Sequence, residues 1–217
     1  MYKSIKFNDY DLKKDFNLII TKREVEAPAP KTNFVEVDGA DGSLDFSEVF
    51  GEVKFERRTL KYSVTSLSGR KDFWKDFSKI QNAVHGRECK IIDEEDAGYY
   101  YLGRISINKW SIDKVFGTFE ITCECEPYKY HLYLTKRVEN IEGTKTISCK
   151  NDRMSINPTF CFTSSMTVIF NGTSITVGKD DINKDIVLTN VRFKEGNNIL
   201  KFIGTGTVSI SYQEGSL

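Results

Sequence analysis

The sequence predicts an α+β N-terminal domain, a mostly antiparallel sheet carrying one helix, followed by an all-β sandwich of jelly-roll type. Three observations carry this reading. Phe119, Ile121, Cys123 and Cys125 alternate strictly with Thr118, Glu120, Thr122, Glu124 and Glu126, the period-two signature of a half-buried strand. Phe73, Phe77, Ile80 and Val84 recur at helical spacing and make one apolar stripe. After Tyr130 no helix-period segment appears, and Asn171-Gly172 gives the strongest hairpin signal, because this dipeptide adopts the positive φ angles of a two-residue turn. The domains are therefore residues 1–129 and 130–217.

Residues 2–7 alternate as a first strand, and Phe16–Val25 reads as a second. From Glu26 to Leu44 the composition changes to Ala27-Pro28-Ala29-Pro30, then Asn33–Val37, then Asp38-Gly39-Ala40-Asp41-Gly42. Prolines forbid a central strand and Asp-Gly pairs favour tight turns, so this is an extended arm with a short strand at its tip. Two uses are open. The arm reaches a neighbouring subunit through Phe34, Val35 and Val37, or it is a surface loop with an edge hairpin on its own domain.

Val53–Leu67 reads as a long strand whose change of phase predicts a bulge near Arg57-Arg58. A helix follows from Arg70 to His85, with Ser68 as N-cap and Gly86 as its left-handed stop. Its narrow stripe is expected to be core. Glu88–Ile92 is a short strand and Asp93–Asp96 a solvated turn. The tyrosine-rich strand from Tyr99 alternates Arg104, Ser106 and Asn108 against Ile105 and Ile107, then turns at Ser111–Lys114 into the Phe119 strand. Pro127 ends that hairpin. In the second domain, His131–Val138, Thr144–Lys150, Thr159–Phe162, Met166–Phe170, Thr173–Val177, Asp185–Leu188, Asn198–Phe202 and Thr207–Tyr212 read as short strands.

With 31 basic against 31 acidic residues, the chain lacks the field of a tight DNA binder or of a protein held to anionic membrane. No apolar run reaches membrane-spanning length, and the Met1-Tyr2-Lys3-Ser4 opening is not that of a secretory signal. Five cysteines, an odd count in a chain of this size, point to reduced thiols and synthesis in a cytoplasm.

The chemistry-bearing residues form no reactive set. Cys123 and Cys125 share a strand face, but a zinc site needs four ligands and no second pair stands at ligand spacing, so they read as buried apolar thiols; Cys149 and Cys161 read the same way. His85 sits at a helix C-terminus, where a cation is favoured, and His131 opens a strand; neither lies in a nucleophile–base context. Asp93–Asp96 lacks the alternating spacing of a calcium loop, and Gly204-Thr205-Gly206 does not precede a helix. Asn171-Gly172-Thr173 matches a glycosylation sequon that its turn role makes accidental. No catalytic residue, cofactor or metal ligand is expected.

Tyr101-Leu102-Gly103-Arg104-Ile105 with Trp110, followed by Gly117-Thr118-Phe119 running into Cys125-Glu126-Pro127-Tyr128-Lys129-Tyr130, resembles the distal tail proteins of long-tailed, non-contractile phages. The resemblance extends to Asp41–Asp45, Arg57-Arg58, the Phe73–Gly86 helix, Gly196–Ile199 and Val208–Glu214. It implies a ring of six subunits at the virion tail tip, made in the bacterial host cytoplasm. First domains would form the ring and galectin-like second domains would project from it. The ring would join the tail tube protein to the tail-associated protein or central fibre, carry receptor-binding parts on its rim, and let DNA pass without specific binding. Glu120, Glu124 and Glu126 would then face the channel, or else form the solvated outer face of the sheet. The alternative from another class is a carbohydrate-binding module reading host cell-wall sugars through the second domain. Such a site needs exposed aromatic platforms, and both tryptophans, Trp74 and Trp110, fall in the first domain.

Overall fold

A computed structural model describes residues 3–49, 51–67, 69–112 and 116–217. They cluster as two units, Met1–Lys129 and Tyr130–Leu217.

The first unit contains β1 (Ile5–Phe7), β2 (Tyr10–Asp11), α1 (Leu12–Phe16), β3 (Leu18–Val25), β4 (Phe34–Glu36), β5 (Ser43–Asp45), β6 (Arg58–Ser66), α2 (Gly69–Val84), β7 (Glu88–Asp93), β8 (Tyr99–Ile112) and β9 (Gly117–Cys125). Its main sheet runs in the order β2-β1-β7-β8-β9-β6-β3, with each neighbouring pair antiparallel. The β8–β9 hairpin lies at its centre. Alternation places Ile105, Ile107, Phe119, Ile121, Cys123 and Cys125 on the buried face. Helix α2 lays Phe73, Phe77, Ile80 and Val84 on that face, and Phe77 meets Phe119 edge-on with ring centroids 5.3 Å apart. The stripe is core, as its spacing predicts.

Several sequence expectations are refined here. Phe16 closes a short helix, α1, instead of opening a strand: Asp11 caps it by accepting from the Lys13 and Lys14 amides, and Asn17, at φ 54°, ends it in the left-handed region. The strand expected from Val53 begins at Arg58 with no bulge there; the register shifts fall between Ile20 and Lys22 and between Asn108 and Trp110. Arg58 is itself buried, its guanidinium lying over the Tyr101 ring. The Asp93–Asp96 turn is not wholly solvated, because Asp93 is 5% exposed, accepts from the Glu95 amide and pairs with Arg23 Nε at 3.2 Å. Burial nevertheless pushes the Asp93 carboxyl above its ordinary value, against those two partners. Finally, His85 is tied to the sheet at the helix end, its Nδ1 accepting the Ile107 amide at 2.9 Å. Ser111 and Ile112, expected to open the Ser111–Lys114 turn, continue β8 and pair with Thr118 and Gly117; the rest of that turn and the expected Ser68 cap lie outside the described residues.

β10 (Lys129–His131) leads into the second unit, which holds β11 (Thr135–Asn151), β12 (Thr159–Phe162), β13 (Met166–Phe170), β14 (Thr173–Thr176), β15 (Ile186–Val187), β16 (Gly196–Tyr212) and β17 (Gly215–Ser216). β11 and β16 pair without interruption from Thr135↔Tyr212 to Asn151↔Gly196. The other edge of β16 takes β13 along residues 200–204 and β12 along 208–211, which gives the order β14-β13-β16-β12-β15. The breaks expected within β11 and β16 are bends in a continuous ladder. Gly143 (φ 73°) stands opposite Gly204 (φ 149°), two residues before Gly206 (φ 142°), and backbone that only glycine adopts readily lets both strands turn without losing register. A Cβ on Gly206 would meet Ser164 Oγ, Met166 Cε and Thr163 Oγ1, side-chain atoms that would have to swing aside. Asn171 and Gly172 take φ 48° and 81°, the two-residue turn their identity predicts. The core gathers Ile147, Phe160, Phe162, Val168, Phe193, Leu200, Phe202, Val208 and Ile210. Among the described residues, no helix is long and apolar enough to cross a membrane.

Candidate functional site

The arm is built from two antiparallel legs and an isolated hairpin. Its legs are held by Lys31 N–H to Lys54 O (2.7 Å), Glu56 N–H to Ala29 O (2.8 Å) and the Pro30–Phe55 bridge. Pro28 and Pro30 keep these segments extended and out of any central ladder. At the tip, β4 pairs with β5 alone, Val35 opposite Leu44 and Phe34 opposite Asp45. Asn33 donates its amide to Ser47 Oγ, and the Ser47 amide donates to Asp45 Oδ1. The Ser47 hydroxyl and amide together hold the Asp45 carboxyl below its ordinary range.

The hairpin buries nothing of its own. Cross-strand pairing puts Val35 and Leu44 on one face, and Val37 and Phe46 continue that phase, while Phe34 points to the other. Phe34 is 57% exposed and Leu44 55%, and Val35, Val37, Phe46 and Val49 are exposed as well. A lone two-stranded hairpin is at best marginally stable in water. The structure thus places Phe34, Val35 and Val37 together on an exposed arm, with Leu44 of β5 and Phe46 and Val49 just after it.

A second apolar surface is visible only in three dimensions. Lys109, at φ 42°, forms a bulge in β8, after which Trp110 pairs with Phe119 and so shares its side of the sheet. There Trp110 meets Trp74 of α2 edge-on, ring centroids 4.6 Å apart, with 53% and 47% of the two residues exposed. In unbroken alternation Trp110 would fall on the opposite face, which is why the sequence does not reveal this pair.

Glu120 and Glu124 keep the phase opposite the buried face of β9, as alternation requires, and Glu126 follows the last residue of that strand. Their surroundings are of mixed charge. Glu124 stands opposite Arg104 and accepts from Thr59 Oγ1 at 3.3 Å, Thr122 stands opposite Lys61, and Glu120 lies within the electrostatic reach of Lys22. In the second unit, Phe160, Phe162, Phe170, Phe193, Phe202 and Tyr212 are committed to the core, while Tyr133 is exposed.

No family model matches this sequence, and no curated protein matches it. Among solved structures, the chain is similar to the crystal structure of the SPP1 Dit protein, described as a paradigm of the hub adsorption apparatus in phages infecting Gram-positive bacteria. The two share 14% sequence identity and superpose with a TM-score of 0.69, covering 100% of each chain. At that identity the likeness is one of fold: over its whole length, this chain has the fold of a phage distal tail protein.

Proposed function

We propose that this protein is a structural hub subunit of a long, non-contractile phage tail tip. The observation that carries the proposal is the correspondence of the entire chain, both units included, with the fold of a hub adsorption protein. In this reading, six copies close into a ring built from the first units, and the second units stand as outward galectin-like modules. The ring joins the tail tube protein to the tail-associated protein or central fibre, and its rim carries receptor-binding parts. Its role is architectural, with no catalytic step assigned to any residue. The arm supports the reading: an apolar hairpin face open to solvent gains by being covered, and a head-to-tail contact of arm on neighbour closes into a ring where the rotation permits. DNA leaves through the opening. Glu120, Glu124 and Glu126 are the channel candidates, in a mixed-charge surface that offers phosphates no continuous basic grip. Reading wall sugars through the second unit finds less support, because most of its aromatic rings are in the core.

The mass in solution tests this. Light scattering across a wide concentration range is expected to show a hexamer, and isolated tail tips a ring containing this chain. A strictly monomeric mass together with tips lacking such a ring would overturn the proposal.

A further inference from the structure

We propose that His131, Asp152 and Glu214 form a binding site for one divalent transition-metal ion, with zinc as the reference ion. These residues are far apart in sequence, and all belong to the second unit. His131 comes from β10, Asp152 follows the last residue of β11, and Glu214 lies between β16 and β17. One donor atom from each lies within 4.8 Å of the other two, and His131 Nε2 is 2.7 Å from Asp152 Oδ2. Donors around a four-coordinate zinc stand roughly 3.4 Å apart, given bonds of about 2.0–2.2 Å, so small side-chain rotations close the site.

The donor set selects the class of ion. An imidazole with two carboxylates suits zinc and its first-row neighbours, whereas calcium takes an all-oxygen shell. Three protein donors also leave a coordination position for water.

The backbone of all three residues is held in place, and so is the Glu214 carboxylate. Gln213 Nε2 donates to the His131 carbonyl at 2.7 Å, and the His131 amide donates to the Glu214 carbonyl at 3.0 Å. Thr135 Oγ1 donates to Glu214 Oε1, leaving the second carboxylate oxygen for an ion. Asn151, 1% exposed, gives its amide nitrogen to the carbonyls of Asp152 (3.1 Å) and Met154 (2.9 Å), which fixes the turn carrying Asp152. The Thr135 hydroxyl is an outer partner that orients a ligand before a metal arrives. Charge supplies the second argument. Two carboxylates gathered around one imidazole repel each other, and even a protonated ring would neutralise only one of them; a divalent ion neutralises both. Bound there, the ion would tie β10 and the end of β11 to the segment between β16 and β17.

The test uses the full chain, stripped with a chelator and titrated with Zn²⁺ and with Co²⁺. Expected are one ion per chain, a raised unfolding midpoint, and a Co²⁺ spectrum of nitrogen and oxygen ligands without thiolate charge-transfer bands. Asp152→Asn and Glu214→Gln, which preserve side-chain size, should each weaken binding at least about tenfold, read against each variant's own metal-free midpoint. Absence of saturable binding, a thiolate spectrum, or unaltered affinity in both variants would overturn the site. The first of these would leave the imidazole–carboxylate hydrogen bond as its whole chemistry. None of these outcomes depends on whether the chain assembles into a ring.

Discussion

Gly103 of β8 stands directly across from Cys125 of β9, so close that a Cβ on Gly103 would lie 2.5 Å from the thiol sulfur and 2.9 Å from Cys125 Cα. Two of the three nearest atoms are backbone, which cannot swing aside. Gly103→Ala is therefore expected to cost about 1–3 kcal/mol by overpacking. Urea unfolding would show this as a lower midpoint at unchanged slope. A change under about 0.5 kcal/mol, the range of an ordinary surface substitution, would mean that the strands separate more easily than their register implies.

The arm separates assembly from stability. Val35→Asp with Leu44→Asp places two charges on a face already open to solvent, so each chain's own unfolding should move by no more than about 0.5 kcal/mol. The assembled mass should fall to that of a monomer. Retention of the assembled mass would show that the apolar arm face lies outside the subunit contact.

The thiols differ in reach. All five are free, and four are buried, with Cys161 partly exposed. Burial lifts the Cys89 and Cys149 thiols, raises Cys123 well above its ordinary value and pushes Cys125 up to about 12. Iodoacetamide at neutral pH should label Cys161 in the folded protein and the other four only after unfolding. Thermal unfolding should not respond to dithiothreitol, since losing a native disulfide costs about 2–5 kcal/mol. Rapid native labelling of Cys123 or Cys125 would contradict the packing of the central hairpin.

Acid exposes a different dependence. Burial opposes ionisation of Asp11, but hydrogen bonds from the Lys14 amide, the Ser4 hydroxyl and the Lys13 amide together outweigh it and hold the carboxyl below its ordinary value. The folded pKa is thus below the unfolded value of about 3.9. The resulting stability is full above that value and is lost as the pH falls through the folded pKa. Asn caps a helix about as well as Asp, so Asp11→Asn isolates the charge. The variant should be less stable than the parent near pH 6, and the gap should close near pH 2. An equal gap at both pH values would assign the effect to the cap geometry alone.

Local patterns were legible and distant convergences were not. The β8–β9 hairpin and α2 could be read because alternation and a helical stripe are properties of neighbouring residues, and β12 and β13 run between the residues expected of them, Thr159–Phe162 and Met166–Phe170. Gly143, Gly204 and Gly206 misled because a glycine that bends a strand looks the same in sequence as one that ends it. Trp110 escaped because one residue with positive φ, Lys109, reverses which side of the sheet it faces. His131 looked isolated because its partners, Asp152 and Glu214, arrive from remote segments. The exposed character of Phe34, Val35 and Val37 was readable from the prolines and turns around them.

β16 is the partner that β11, β12 and β13 all await, and each of them precedes it along the chain. Its ladder with β11 spans the interval from Thr135 to Tyr212, so most of the loop-closure entropy falls due before any of these contacts offsets it. The first unit can close its central hairpin across a short link, but before β16 is made the second can form only the β13–β14 hairpin and the short β12–β15 pair. Until then Ile141, Ile147, Val168 and Phe170 have no β16 to pack with or pair against. The interval between the synthesis of β11 and that of β16 is therefore the interval in which these strands are open to aggregation.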